Sequence, residues 1–565
     1  MALGEISADL ALTGGRVLNV YTGEILADQV ILIAGEYIAY VGPAGNHPAA
    51  AETVELAGRL VVPGFIEGHT HDDIFLTIPE YVRWSLPRGT TTVVTECSQT
   101  ANAAGLAGVQ EFLAQFRDQP QRYWATCPMI AFLCGRRDGG QRSITAAEML
   151  TLLDRPEMLG LGETYWSRLL GPESGEAFTL IEEALARGKT VEGHSAGARR
   201  ERLAAFAAAG VDACHEPITA DEVRDRLRLG LYTMIREGSV RRELDTVLPA
   251  LLPMGLDLRR TLLVSDGVWP GEGGHLDSIV QKAVDLGLDP VRAIQMVTLN
   301  AAEHFHLAGQ LGAIAPGKAA DLVVLPGPRV IRAETVICRG RVVAREGRLL
   351  QEPTPVSFSP AMRQTIRLGG VEPGFFRVTA PAGQVRAMEM VSTIVTREAI
   401  LTVQDGEIRA DVGEDILKVA CLDRHSVTAR GFTGFYRGYG LRRGAVAASW
   451  GFDAGNPLVI GADDADMAGA VNRLIELGGG LVLVVGGQVV CELPTPLFGT
   501  LADLPAAEVA SRLAGLDGEL RALGCRSANP LLTLLTVSFT AIPALRVLAE
   551  GYWLAKENAL GGLLV

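Results

Sequence analysis

The stretch 61–73, VVPGFIEGHTHDD, constrains this chain more than any other. An apolar run enters Pro63-Gly64 and ends in His69-Thr70-His71. Side chains at i and i+2 share one face of an extended strand. On a helix they would need a spacing of three or four. The segment therefore reads as a strand that aims two imidazoles at one point, the arrangement a metal ion requires.

Further candidate ligands recur downstream at regular intervals. Between 63 and 311 the chain alternates apolar β-rich runs with helical stretches, over the roughly 250 residues of a (β/α)8 barrel. The runs lie at 90–96, 125–132, 158–163, 189–195, 211–216, 231–237 and 261–266. Active sites of such barrels sit at the C-terminal ends of the strands. Read that way, strand one ends in His69 and His71, strand four in Glu163, strand five in His194, strand six in His215 and strand eight in Asp266. Four of the chain's nine histidines thus meet two carboxylates on one rim.

Imidazoles mixed with carboxylates suit Zn, Mn or Fe and argue against a soft thiolate site. Four histidines and a shared carboxylate have the capacity for two ions, with Glu163 between them. Such ions bring the pKa of bound water toward ~7 and supply hydroxide at neutral pH. Asp266 is then placed to take the water's proton and pass it to a leaving group. The reaction expected is hydrolytic attack at an sp2 carbon, either an amide-type carbonyl or a ring C–NH2.

The fold class expected is α/β: a (β/α)8 TIM barrel with a split small β-sandwich domain and a C-terminal α+β domain. Short β runs with glycine turns fill 1–62 and recur at 312–355, on either side of the barrel at 63–311. The region 360–565 mixes strands with helices and forms the third part. The glycine-rich run 478–490 is too short to span a bilayer and reads as a strand pair. Asp463, Asp464 and Asp466 lack the spacing of a calcium loop and read as a helix start.

Composition excludes several classes. The chain has 565 residues, 48% of them hydrophobic, and a net charge of −14. No basic patch stands out, so neither nucleic acid nor a membrane is an expected partner. No basic segment leading into an apolar run marks a signal peptide. Eight cysteines without a CxxC pair suit reduced thiols in the cytoplasm.

These motifs resemble a known family. PGFIEGHTH, GHS at 193–195, CHE at 214–216, Asp266 and LGAIAPGKAADLVVL are similar to the amidohydrolase superfamily. LGLGETY, HEPITADE, LYTMIREGS, GGHLD, GAVAASWGFDAGN, DMAGAVNRLIELGGG and LPTPLFG resemble, within it, the adenine deaminases. The resemblance implies conversion of adenine to hypoxanthine and ammonia at a site of two divalent metal ions (Mn, Fe or Zn), in a homo-oligomer, a dimer. It implies His69, His71, Glu163, His194, His215 and Asp266 as metal ligands, with His215 also in the catalytic set. Glu237 reads either as a second proton carrier or as a carboxylate at a helix N-terminus. Arg236 and Ser239 are expected near the substrate, and His275 is expected either there or as a plain loop histidine.

Two segments depart from the family pattern. Glu96-Cys97-Ser98-Gln99 stands where the family has Asp-Pro-His-Glu, and Phe452-Asp453-Ala454-Gly455-Asn456 where it has His-Asp-Ser-His-Asn. The ligand positions are all present, so these departures bear on the substrate more than on the reaction class. The alternatives are a relative acting on another amino- or oxo-heterocycle or cyclic amide, and a binding paralogue without turnover. Cys97 reads as a packing residue, His304 and His306 as structural, and His47 and His425 as surface or interface residues.

Overall fold

The computed structural model describes residues 6–45, 48–136, 141–172, 174–542 and 544–565; His47 lies outside them. Eight parallel strands follow one another in chain order. Five form one arc: Phe65–Thr70, Thr90–Thr95, Arg122–Cys127, Met158–Tyr165 and Thr190–His194. Three form a second: Ala213–Cys214, Tyr232–Arg236 and Thr261–Val264. Backbone hydrogen bonds join the arcs on both sides, Asp212 N–H to Val191 O and Asp266 N–H to His69 O, each at 3.1 Å. Every strand is followed by a helix, from Ile78–Ser85 after the first to Leu276–Asp285 after the eighth. This is an α/β, TIM-barrel-like arrangement. We refer to these strands as one to eight.

Two strands differ from the sequence reading. The third runs over Arg122–Cys127, and the rest of the expected run is a short helix, Met129–Leu133. Pro128 lacks the N–H that a ladder needs, so pairing ends there. Strand six is only Ala213–Cys214.

The strands on either side of the barrel in sequence form one nine-stranded sheet. Its two halves meet where Leu60–Pro63 pairs antiparallel with Leu322–Leu325. Side chains alternate along these strands: Leu10, Leu12, Ile31 and Ile33 pack in one cluster, and Ala11, Val30 and Leu32 in another.

Residues 383–494 contribute an eight-stranded sheet. One face packs under the helix Asp464–Leu477 through Met467, Ala470, Val471 and Leu474. The other face, carrying Val446, Ala448, Leu481 and Leu483, joins the same apolar core as the barrel residues Phe65, Val93 and Leu161. Asp463 caps the helix by accepting from Ala465 N–H and Asp466 N–H, which accounts for that acidic cluster. The strands Gly480–Val485 and Gln488–Pro494 form the expected pair. His425 reaches Asn102 O at 3.3 Å, between this region and the helix after strand two.

Candidate active site

The barrel brings the six predicted ligands to one end. Oε1 of Glu163 lies 2.8 Å from His215 Nε2, 3.3 Å from His69 Nε2, 3.6 Å from His71 Nε2 and 3.8 Å from His194 Nδ1. Oδ1 of Asp266 lies 3.3 Å from both His69 Nε2 and His71 Nε2. The His69 and His215 rings stack with centroids 4.0 Å apart. Two groups of donor atoms that include predicted ligands converge closely enough to hold an ion: His69, Glu163, His215 and Asp266, and then His194, His215 and Glu216.

The donor chemistry fits a divalent cation. Nε2 of His69, Nε2 of His215 and both ring nitrogens of His194 are buried without a hydrogen-bond partner. Buried polar atoms normally find partners, and imidazoles beside carboxylates form a borderline-hard metal set. Burial by itself would raise Glu163, but the His215 charge and the imidazoles of His194 and His69 hold it well below the usual carboxylate range. Burial likewise opposes ionisation of Asp266, and the adjacent imidazoles of His69 and His71 with the Arg236 charge outweigh it. Asp266 also sits at φ 54, a left-handed backbone rare for a residue with a side chain.

Around the donors is a shell of which the sequence reading named only Arg236. Arg236, 2% exposed, donates to Asp266 Oδ2 at 3.0 Å, to Glu243 at 2.8 and 3.0 Å, and to both oxygens of Glu216. Glu216 Oε1 in turn lies 3.4 Å from His215 Nε2 and 3.6 Å from His194 Nδ1. The signal for Glu216 was its place beside His215 in the CHE motif. Nothing local marked Glu243. Glu67, wholly buried, accepts from His69 N–H and Ser265 N–H at 3.2 Å and so ties strand one to strand eight. Burial pushes it up to about 7.

The four remaining predicted residues fall in different places. Arg236 is inside the cluster as a partner of the carboxylates. Glu237 is turned to other work: its carboxylate accepts from Lys282 Nζ at 2.8 Å and from Leu244 N–H at 3.3 Å, the first residue of the helix Leu244–Leu251. That is the helix N-terminal role. Ser239 Oγ accepts from Trp269 N–H at 2.7 Å and fixes the loop beyond Asp266. His275 is fully buried, with its ring nitrogens on Tyr81 Oη at 2.6 Å and Thr90 Oγ1 at 2.8 Å. None of these three is brought into the donor cluster.

The departing segments are ordered and close to the site. Glu96 accepts from Thr126 Oγ1 at 2.7 Å and from Glu163 N–H at 3.3 Å. Burial and the neighbouring Glu163 charge push it up to about 7. Cys97 is buried and donates to Thr126 O, a packing role. His304 pairs with Glu192 at 2.8 Å.

A narrow cleft opens onto the donors His71, Glu163, His194 and Asp266. Its other walls include Ile394, Phe452, Phe539 and Ile542, all from the C-terminal third of the chain. A neighbouring cleft shares His71, Asp266, Val240 and Phe452 and extends to Phe75, Tyr81 and Trp269.

Comparison with known proteins agrees with this layout. Residues 60–343 match the model of the amidohydrolase family, and residues 393–558 that of the adenine deaminase C-terminal domain. An adenine deaminase of Moorella thermoacetica is 38% identical, the alignment covering 98% of this chain and 95% of that protein. One of Cenarchaeum symbiosum is 34% identical, over 98% and 92%. One of Nitratidesulfovibrio vulgaris is 34% identical, over 98% and 96%. With relatives of 34–38% identity matched over 98% of its length, the chain belongs to the adenine deaminase family of the amidohydrolases.

Proposed function

We propose that this protein is a metal-dependent aminohydrolase that converts adenine to hypoxanthine and ammonia. The observation that carries the reading is a single carboxylate oxygen, Glu163 Oε1, within 3.8 Å of four imidazoles. Two divalent ions, Mn, Fe or Zn, would be held by His69, His71, Glu163, His194, His215 and Asp266, with Glu163 shared. Ions bound there supply hydroxide at neutral pH.

The protein's own residues do the rest. Asp266, kept ionised by His69, His71 and Arg236, accepts the proton of the attacking water. It then returns a proton to the leaving amine. Arg236 holds the Asp266 carboxylate through Oδ2, leaving Oδ1 toward the donors. Apolar walls from Ile394, Phe452, Phe539 and Ile542 exclude bulk water and strengthen these electrostatic interactions.

We further propose the layout of a barrel at 63–311, a small β domain assembled from 1–62 and 312–355, and a C-terminal α+β domain at 360–565. The nine-stranded sheet built from both sides of the barrel supports it. Eight free cysteines support a reducing compartment, the cytoplasm.

The test is turnover. Manganese-loaded protein is given adenine, and ammonia release is followed with the change in purine absorbance. Release abolished by His69→Ala and Asp266→Ala supports the reading. Full metal loading with adenine untouched would sink it and would move the search to other amino-heterocycles and cyclic amides.

A further inference from the structure

The C-terminal region contributes an aromatic wall, here called the roof, to the clefts that hold the donors. Phe452 is the one aromatic residue common to both cavities, each of which also contains His71 and Asp266. It stacks on Phe539, with ring centroids 5.2 Å apart and planes 18° apart, and meets Trp450 edge-on at 5.6 Å. Phe539 in turn packs on the His194 ring at 5.7 Å. A phenyl ring lining a cleft that also holds candidate metal ligands is a surface on which a flat heteroaromatic ring stacks.

The roof is anchored by the next residue. Asp453 is 1% exposed and adopts φ 75. Its Oδ1 accepts from Tyr165 Oη at 2.6 Å, and its Oδ2 accepts from Thr540 N–H at 2.6 Å and Thr540 Oγ1 at 2.5 Å. Its carbonyl accepts from Asn102 Nδ2 at 2.5 Å. Tyr165 ends strand four and lies against His194, with centroids 4.6 Å apart. Phe452 itself is held by its N–H on Leu535 O and by Ser538 Oγ on its carbonyl, both at 3.0 Å. The clamp therefore ties the roof to the same strand that carries Glu163.

We propose that Phe452 is the substrate-stacking residue of this active site, and that Asp453 is the positioning residue that sets its height above the metal-ligand cluster. The inference deepens the proposed deamination and rests on it for the identity of the ring. Recognition at this wall is by a π-face, so it favours planar, unsaturated amino-heterocycles over saturated cyclic amides of the same size.

The experiment uses full-length, manganese-loaded protein. Phe452→Leu keeps the bulk and removes the π-face, Phe452→Tyr keeps the face, and Asp453→Asn weakens the clamp. Metal content is measured on each, with kcat and KM for adenine and calorimetric Kd for hypoxanthine. Phe452→Leu is expected to raise KM and Kd about 5- to 100-fold, the range of a lost aromatic–base stack. Its kcat and manganese content stay close to wild type. Phe452→Tyr restores the wild-type constants, and Asp453→Asn shifts KM the same way. The Leu/Asn double variant loses little more than Phe452→Leu alone, because the clamp acts through the ring. Unchanged KM and Kd in Phe452→Leu would overturn the proposal. So would loss of metal, or a fall in kcat at constant KM. Full additivity in the double variant would overturn the role given to Asp453. A wild type that releases no ammonia from adenine removes the proposed reaction alone. Hypoxanthine and cytosine binding still report on the roof, and a wild type that binds neither overturns it too.

Discussion

Arg236 donates to Oδ2 of Asp266 at 3.0 Å, while Oδ1 of the same carboxylate lies 3.3 Å from the Nε2 atoms of His69 and His71. One guanidinium thus fixes the face that this carboxylate presents to the two imidazoles. It also donates to both carboxylate oxygens of Glu216. Removing one partner of a buried ion network leaves uncompensated charge, at about 3–5 kcal/mol. Arg236→Met is expected to lower the thermal midpoint and abolish turnover. Arg236→Lys keeps the charge but not the fork, and recovers stability more than activity. Differential scanning calorimetry and turnover on the same preparations check both.

Glu216 lies between Arg236 and the imidazoles of His194 and His215. Partners of this kind typically contribute about 10- to 100-fold in metal affinity or activity. Glu216→Gln is expected to fall in that range, with a fold close to wild type by circular dichroism. An unchanged metal affinity and rate in this variant would remove Glu216 from the site.

Chelation provides a separate measurement. The buried ring nitrogens of His69, His194 and His215 are the atoms an ion would satisfy. An ion that binds only the folded state adds about 2.7 kcal/mol when its free concentration is a hundred times its Kd. A chelator is therefore expected to lower the thermal midpoint of the wild type, and adding manganese or zinc back to restore it. His215→Ala, which disrupts both donor groups, should show a much smaller response.

Gly238 permits a close approach that any side chain would block. A Cβ there would stand 1.9 Å from Ser265 O and 2.6 Å from Gly267 O, backbone atoms on either side of Asp266. Gly238→Ala must push the ends of strands seven and eight apart. The expected result is a kcat loss of 10²-fold or so, the scale of a misplacement near 1 Å, with the protein still folded.

Two buried histidines give pH dependences of opposite sign. His304 is raised: burial lowers it, but the Glu192 charge and bond outweigh burial. Glu192 is depressed, with the His304 charge overcoming burial. Stability from the pair is full between the unfolded values of 4.5 and 6.5, and His304's share is lost as pH rises through its raised folded value. His304→Leu should therefore lose more thermal stability at pH 6 than at pH 9. His275 is lowered to about 3 by burial and then by Arg88. Its contribution is present above 6.5 and lost as pH falls toward about 3. His275→Gln should flatten the fall in thermal midpoint below pH 6.5.

Much of the candidate site was legible in the sequence because the residues that converge there follow a period. Side-chain alternation on a strand puts His69 and His71 on one face, and barrel strands deliver one ligand group per unit of chain. The six ligand positions, the barrel and the strands on either side of it all follow from such local rules. The third strand was read too long because an apolar run does not say where pairing stops, and Pro128 decided that.

The rest was decided by contacts between distant parts of the chain. Glu237 and His275 have the residue types of a catalytic site, yet Lys282 and the helix at Leu244 engage the one, and Tyr81 and Thr90 the other. Asn102, just beyond the departing segment 96–99, donates to Asp453 of the other departing segment, 351 positions away. Phe452 carries no local mark of function, since an aromatic residue in an apolar run reads as core. It becomes a cavity wall only when the C-terminal sheet packs its apolar face against the barrel. Periodicity is written within a few residues of sequence, whereas the partner of a buried side chain is set by which surfaces are excluded from water together.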